Sequence, residues 1–241
     1  FYFIIFIHNC PFNLIYKITL LNYTSLIKWL ILINLSGKNP IKNNKNKFWA
    51  KENISGFFGK TLSYLDLIFI DHGIFRFYWR SLNKISDNIY RSNQPFPWQI
   101  IADKKNRNIK TIINLRGKRN CSSYYLEKFT CKKHGIKLID FPVTSRAAPT
   151  IETIFAANKL FKTIEYPAIM HCKSGADRAG LMAALYLILQ KNIPVDEAKK
   201  QLSFKHLHIK YAKTGILDKF YESYIDDTKN TSKKFLDWVK T

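Results

Sequence analysis

From residue 88 onward, short apolar runs alternate with longer segments whose apolar positions recur at helical spacing. The runs at 88–92, 111–115, 136–141 and 168–171 are the right length and composition for strands. Between them, helical periodicity covers 97–105, 123–133 and 150–164, with Pro97 in a first turn, Gly135 beyond a C-terminus and Thr150 as an N-cap. A fourth helix, 178–190, turns Leu181, Ala184, Leu185 and Leu189 to one side. Strands alternating with helices across short connections predict an α/β fold: a central, mostly parallel sheet of about four to five strands, flanked by helices. Ligands of such sheets bind at the carboxyl ends of the strands. That rule puts Ser92, Arg116, Ser145, Arg146 and the loop after His171 on one rim. Three further helices are predicted at 194–203, 209–225 and 231–239, with His206 and His208 in the connection between the first two. With no carboxylate near them in sequence, these histidines are not expected to hold a metal.

The first third of the chain reads differently. Apolar runs at 1–7 and 29–33 are interrupted by Asn13, Lys17, Asn22 and Lys28, short of the roughly 20 apolar residues a bilayer span needs. No small-residue cleavage site follows them. The first methionine is Met170, so 1–47 is read as an apolar segment and basic linker, either a weak anchor or not native coding sequence. The aromatic-rich stretch 48–82 carries Leu62, Leu65 and Phe69 at helical spacing before Gly73, a helical extension to a domain over 83–241.

Composition narrows the class. A 46% hydrophobic content with 15% aromatics supports a packed core, and the net charge of +22 comes mainly from lysine. No nucleic-acid-binding motif accompanies that charge, so no nucleic-acid partner is expected; a basic surface favours anionic substrates and leaves room for peripheral contact with an anionic membrane. Cys10, Cys121, Cys131 and Cys172 form no C-x-x-C pair, which argues against a zinc site or a disulfide framework.

The chemistry concentrates in one loop. Five residues, Lys173, Ser174, Gly175, Ala176 and Asp177, separate the thiol of Cys172 from the guanidinium of Arg178. A loop between a strand end and a helix start points backbone N–H groups into a concavity where the helix N-terminus adds positive potential, a setting for a bound anion and for a thiolate. A thiolate is a competent nucleophile, and an arginine fork can hold two phosphoryl oxygens at once.

The run His171 to Arg178, H-C-K-S-G-A-D-R, resembles the H-C-x5-R signature of the cysteine-dependent protein tyrosine and dual-specificity phosphatases. The resemblance extends through I-Y-R-S-N-Q-P at 89–95, I-I-N-L-R-G at 112–117 and F-P-V-T-S-R-A-A-P at 141–149, as in a bacterial, proteobacterial-type branch. It implies a cytoplasmic phosphomonoester hydrolase working through a phosphocysteine on Cys172, with no metal or other cofactor, and His171 orienting the thiolate through the loop. The implied substrate is a phosphorylated protein; Arg116 and Arg146 on the rim, with Lys173, would instead suit a phosphoinositide or inositol phosphate.

Two positions depart from the family pattern. Ala179 stands where these enzymes usually carry Ser or Thr, which predicts slow hydrolysis of the intermediate. The loop at 143–146, where a general-acid aspartate is usual, holds no carboxylate. Asp177, immediately before the arginine, is the expected acid by resemblance to superfamily members with that arrangement, and Asp140 is the alternative. A catalytically weak phosphate-binding module remains a rival reading.

Overall fold

The computed structural model describes residues 63–65, 67 and 79–241, which belong to one compact unit over 46–241. The apolar segment 1–47 and most of the extension at 48–82, including Phe69 and Gly73, lie outside the described residues.

A five-stranded sheet forms the centre. In chain order its strands are β1 (Asn83–Ser86), β2 (Ile89–Asn93), β3 (Thr111–Asn114), β4 (Lys137–Asp140) and β5 (Ala168–Cys172). Their spatial order is β1-β2-β5-β3-β4, with β1 antiparallel to β2 and every other pairing parallel. Helices α1 (Pro97–Arg107), α2 (Ser122–Lys133), α3 (Ile151–Thr163) and α4 (Asp177–Lys191) make the connections. The short α5 (Val195–Ala198), then α6 (Ile216–Thr228) and α7 (Phe235–Val239), complete the chain. The fold is the expected α/β sheet.

All residues of β3 and β5 are buried, as strands covered on both faces must be. Thr150 caps α3 as anticipated, its side chain accepting from the Thr153 N–H. Helix α4 is buried nearly all round, at 179–186 and 188, and not only along the anticipated stripe. The cause is a further layer: α4 packs between the sheet and the C-terminal helices, and the Tyr221 hydroxyl on α6 donates to Leu181 O at 2.9 Å. The C-terminal elements also depart from expectation. Residues 209–212 are not helical, a single 3-10 turn covers Lys213–Gly215, and α6 begins only at Ile216. A Cβ on Gly215 would lie 1.8 Å from Lys210 O, so the segment folds back tightly on itself just before α6.

Register aligns the ends of the strands. Asn93 pairs with Cys172, while Asn114 pairs with both His171 and Asp140. The carboxyl edge of the sheet therefore brings together four segments that are far apart in sequence. Among the described residues, no helix is long and apolar enough to cross a membrane.

Candidate active site

The loop from Cys172 to Arg178 leaves β5 and enters α4, whose first residue is Asp177. Its tightest point is Gly175, at φ +81, in the left-handed region. A Cβ there would lie 2.7 Å from Asn93 N, so a side chain is excluded by both conformation and space. The Gly175 N–H points at the sulfur and donates to Cys172 Sγ at 3.2 Å. Cys172 is 2% exposed, seated at the base of the loop. Ala176 N–H donates to Ser174 Oγ at 3.4 Å, and Lys173 O accepts from Gln94 N–H. Arg178 is half-buried, and its guanidinium makes no hydrogen bond or ion pair among the described residues. Ala179 is fully buried in the main core, so no side chain from that position reaches the loop with a hydroxyl.

Beneath the loop lies a residue that the sequence reading did not single out. Arg91 on β2 is fully buried, and its Nη2 donates to Gly175 O at 2.7 Å and Ala176 O at 2.9 Å. Its Nη1 donates to Gln201 O at 2.6 Å and Gln201 Oε1 at 3.0 Å. By drawing two loop carbonyls downward, Arg91 leaves the opposite side of the loop to N–H donors. Burial pulls its pKa down to about 10, opposed by the nearby Cys172 and Asp177, so it remains a cation at neutral pH. Gly180 makes room for this packing, since a Cβ there would lie 2.9 Å from Gln201 O and 3.3 Å from Arg91 Nη2.

A buried polar chain supports the other side. His171 Nε2 lies 2.6 Å from Glu127 Oε1, both fully buried, a close contact too bent for a linear hydrogen bond. Glu127 Oε2 accepts from Gln94 Nε2 at 3.1 Å, and Gln94 Oε1 in turn accepts from Arg116 Nη1. Arg116, expected at the rim as a substrate contact, is thus buried and tied to Gln94. Arg146 is exposed, with no side-chain partner among the described residues.

The two candidate acids are held differently. Asp140 accepts at both oxygens, from Asn114 Nδ2 at 2.8 Å and from the Tyr124 hydroxyl at 2.6 Å. Asp177 bonds at Oδ1 only, 2.7 Å from His208 Nδ1, and its Oδ2 has no partner among the described residues. His208 Nε2 lies 2.6 Å from Asp218 Oδ2, so the imidazole bridges two carboxylates. Sequence spacing could not reveal this set, because the segment carrying His208 folds back from beyond α5. No cluster of three or more metal-ligating side chains occurs among the described residues.

Burial lowers the pKa of His208, but its hydrogen bonds to Asp177 and Asp218 outweigh that and raise it above 6.5. A group raised in the folded state contributes stability that is full below its unfolded value and lost as pH rises through the folded one. His206 moves oppositely, to about 4, chiefly by burial, and is neutral in both states above 6.5. The urea midpoint should therefore fall as pH rises above 6.5, and the fall should shrink in Asp218→Asn. An unchanged slope would place the dependence elsewhere.

Residues 103–216 match the family model of the DSP-PTPase phosphatase fused to NAD+ kinase. That match covers less than half of the chain and takes in Cys172, Asp177 and Arg178. No curated protein matches it. Solved structures similar to this chain include TpbA of P. aeruginosa, at 18% identity and TM-score 0.47, covering 59% of this chain and 83% of that one. PTPMT1 is similar at 19% identity and TM-score 0.46, covering 62% and 99%. Tk-PTP in its active form is similar at 16% and 0.44, covering 60% and 98%. A cleft of about 430 Å³ between the start of α3 and the α6–α7 aromatics is lined by none of the residues of the Cys172–Arg178 loop.

Proposed function

We propose that the domain hydrolyses phosphomonoesters with Cys172 as nucleophile. The observation that carries this reading is the sulfur in the loop before α4, hydrogen-bonded by Gly175 N–H, with Arg178 in the first turn of α4 left without a hydrogen bond or ion pair among the described residues. The thiolate attacks phosphorus, forming an S–P bond as the ester oxygen departs. Loop amides and Arg178 follow the phosphoryl oxygens through the displacement. Water then cleaves the S–P bond, releasing inorganic phosphate and returning the thiolate. With Ala179 in place of a hydroxyl residue, this second step is the slow one, and rapid mixing with an aryl phosphate should give a burst of phenol. Turnover of an aryl phosphate, inhibited by vanadate and lost on iodoacetate treatment with protection by phosphate, tests the reading. Absence of turnover with intact phosphate binding would favour a phosphate-binding module.

Asp177 is the general acid in this scheme, because it alone of the two candidates has an oxygen free to face a leaving group. Both oxygens of Asp140 are occupied by donors. Asp177→Asn should slow an alkyl phosphate by about 10²-fold and leave an activated aryl phosphate within a few-fold, since only the poor leaving group needs the proton. Equal slowing of both substrates would remove Asp177 from this role. Asp140→Asn should spare that ratio and lower stability instead, through loss of its bonds to Asn114 and Tyr124.

The substrate is a phosphorylated protein or a phosphoinositide. Arg146, exposed and uncommitted, supports a contact with additional negative charge, whereas Arg116 is engaged beneath the rim. Lys173, Ser174, Gly175 and Ala176 supply the cradle. Competition between a phosphotyrosyl peptide and a soluble inositol phosphate for aryl-phosphate turnover, in wild type and Arg146→Ala, separates the two.

A further inference from the structure

Single exposed apolar side chains are ordinary on a protein surface, but a cluster of them within one short segment is not. The segment between α5 and α6 reads F-K-H-L-H-I-K-Y over 204–211. Phe204 is 77% exposed, Leu207 45%, Ile209 53% and Tyr211 97%. These side chains are not on a slack loop. His206 and His208, which alternate with them, are buried, and His208 is bonded at both ring nitrogens. Leu207 adopts φ +63, a left-handed conformation disfavoured for leucine, while presenting its side chain to water. The chain is thus pinned inward by its histidines and forced to display its apolar residues.

The segment's own charged residues have one sign. Residues 199–217 include five lysines, Lys199, Lys200, Lys205, Lys210 and Lys213, and no acidic residue. Lys199 and Lys210 are paired with Glu222 and Lys200 with Glu197, while Lys205 and Lys213 are exposed without an ion pair among the described residues. Aromatic and aliphatic side chains interleaved with lysine suit the interface of an anionic bilayer, where rings and branched chains enter the headgroup boundary and ammonium groups stay among the lipid phosphates. A single-stranded nucleic acid would use the two rings and the lysines, but Leu207 and Ile209 gain little from bases.

We propose that residues 204–213 form a peripheral docking surface for anionic membranes. The consequence for the site is geometric: the docked segment also carries His208, hydrogen-bonded to Asp177, so docking sets the bilayer beside the loop of Cys172. This consequence rests on the phosphatase reading, whereas docking itself does not.

Sedimentation of the full chain with vesicles of phosphatidylcholine and phosphatidylglycerol in equal parts, against phosphatidylcholine alone, tests the proposal. Binding should appear with the anionic vesicles and weaken with added salt. Phe204→Ser with Tyr211→Ser should weaken it at least about tenfold, and Lys205→Glu with Lys213→Glu about as much or more, given the pull of each lysine toward a charged surface. Both pairs lie outside the reacting groups and should leave turnover of a soluble aryl phosphate unchanged. Vesicle binding equal in wild type and both variants would assign it to another part of the chain and overturn the proposal. So would no vesicle binding, or binding to a single-stranded oligonucleotide alone. Loss of turnover in the wild type with docking intact would reject the phosphatase reading and leave this one standing.

Discussion

Cys172→Ser should reduce aryl-phosphate turnover below detection, by roughly 10⁴-fold or more, while inorganic phosphate and vanadate continue to bind. The two outcomes have separate causes. Turnover needs an ionised sulfur, and a serine hydroxyl in the same seat keeps its proton. Binding needs the loop amides, the start of α4 and Arg178, none of which the substitution touches. The sulfur also answers a buried charge, because Arg91 lies under the loop with four oxygen acceptors and no carboxylate partner. A neutral serine leaves that cation with Asp177 as its neighbouring anion until phosphate arrives. Phosphate affinity, measured by calorimetry, should therefore be at least that of the wild type. Weakened binding together with lost turnover would mean that the loop had collapsed, and the variant would say nothing about the nucleophile.

What could be read from the sequence divides along the lines of locality. The loop was legible because thiol, glycine, aspartate and arginine fall within one short stretch and their order carries the chemistry. The parallel strands were legible because full burial writes itself as apolar runs such as Thr111–Asn114. Strand β1 was not, since Asn83–Ser86 is a short edge strand with no residue fully buried and an irregular register. The helix expected at 209–225 is present but starts only at Ile216, because the apolar spacing of Ile209 and Ile216 imitates a helical face while Gly215 marks a close backbone approach. His208 was passed over for the same reason: its partners, Asp177 and Asp218, come from α4 and α6. Arg91 left one signal. Ile89, Arg91 and Asn93 share a face of β2, and all are buried. An arginine at an inward position of a strand is a charge that something must compensate, and that inference was available from alternation alone.

Arg91→Met should lower kcat/KM for an aryl phosphate by about 10³-fold, the upper part of the range for losing a preorganised electrostatic group. Methionine fills much of the volume but donates nothing, so Gly175 O and Ala176 O lose their buried donor and are free to rotate toward the anion. The removed charge also stood near both Cys172 and Asp177. Without it, alkylation of Cys172 by iodoacetamide should require higher pH than in the wild type, a shift that loosened packing alone would not produce. Arg91→Lys restores the charge but not the fork that spans Gly175, Ala176 and Gln201. It should recover most of the alkylation profile and only part of kcat/KM. If Arg91→Met is merely less stable, with the alkylation profile of the folded fraction unmoved, then Arg91 is a packing residue. The anion beneath the loop would then owe its environment to the helix terminus, the amides and Arg178 alone.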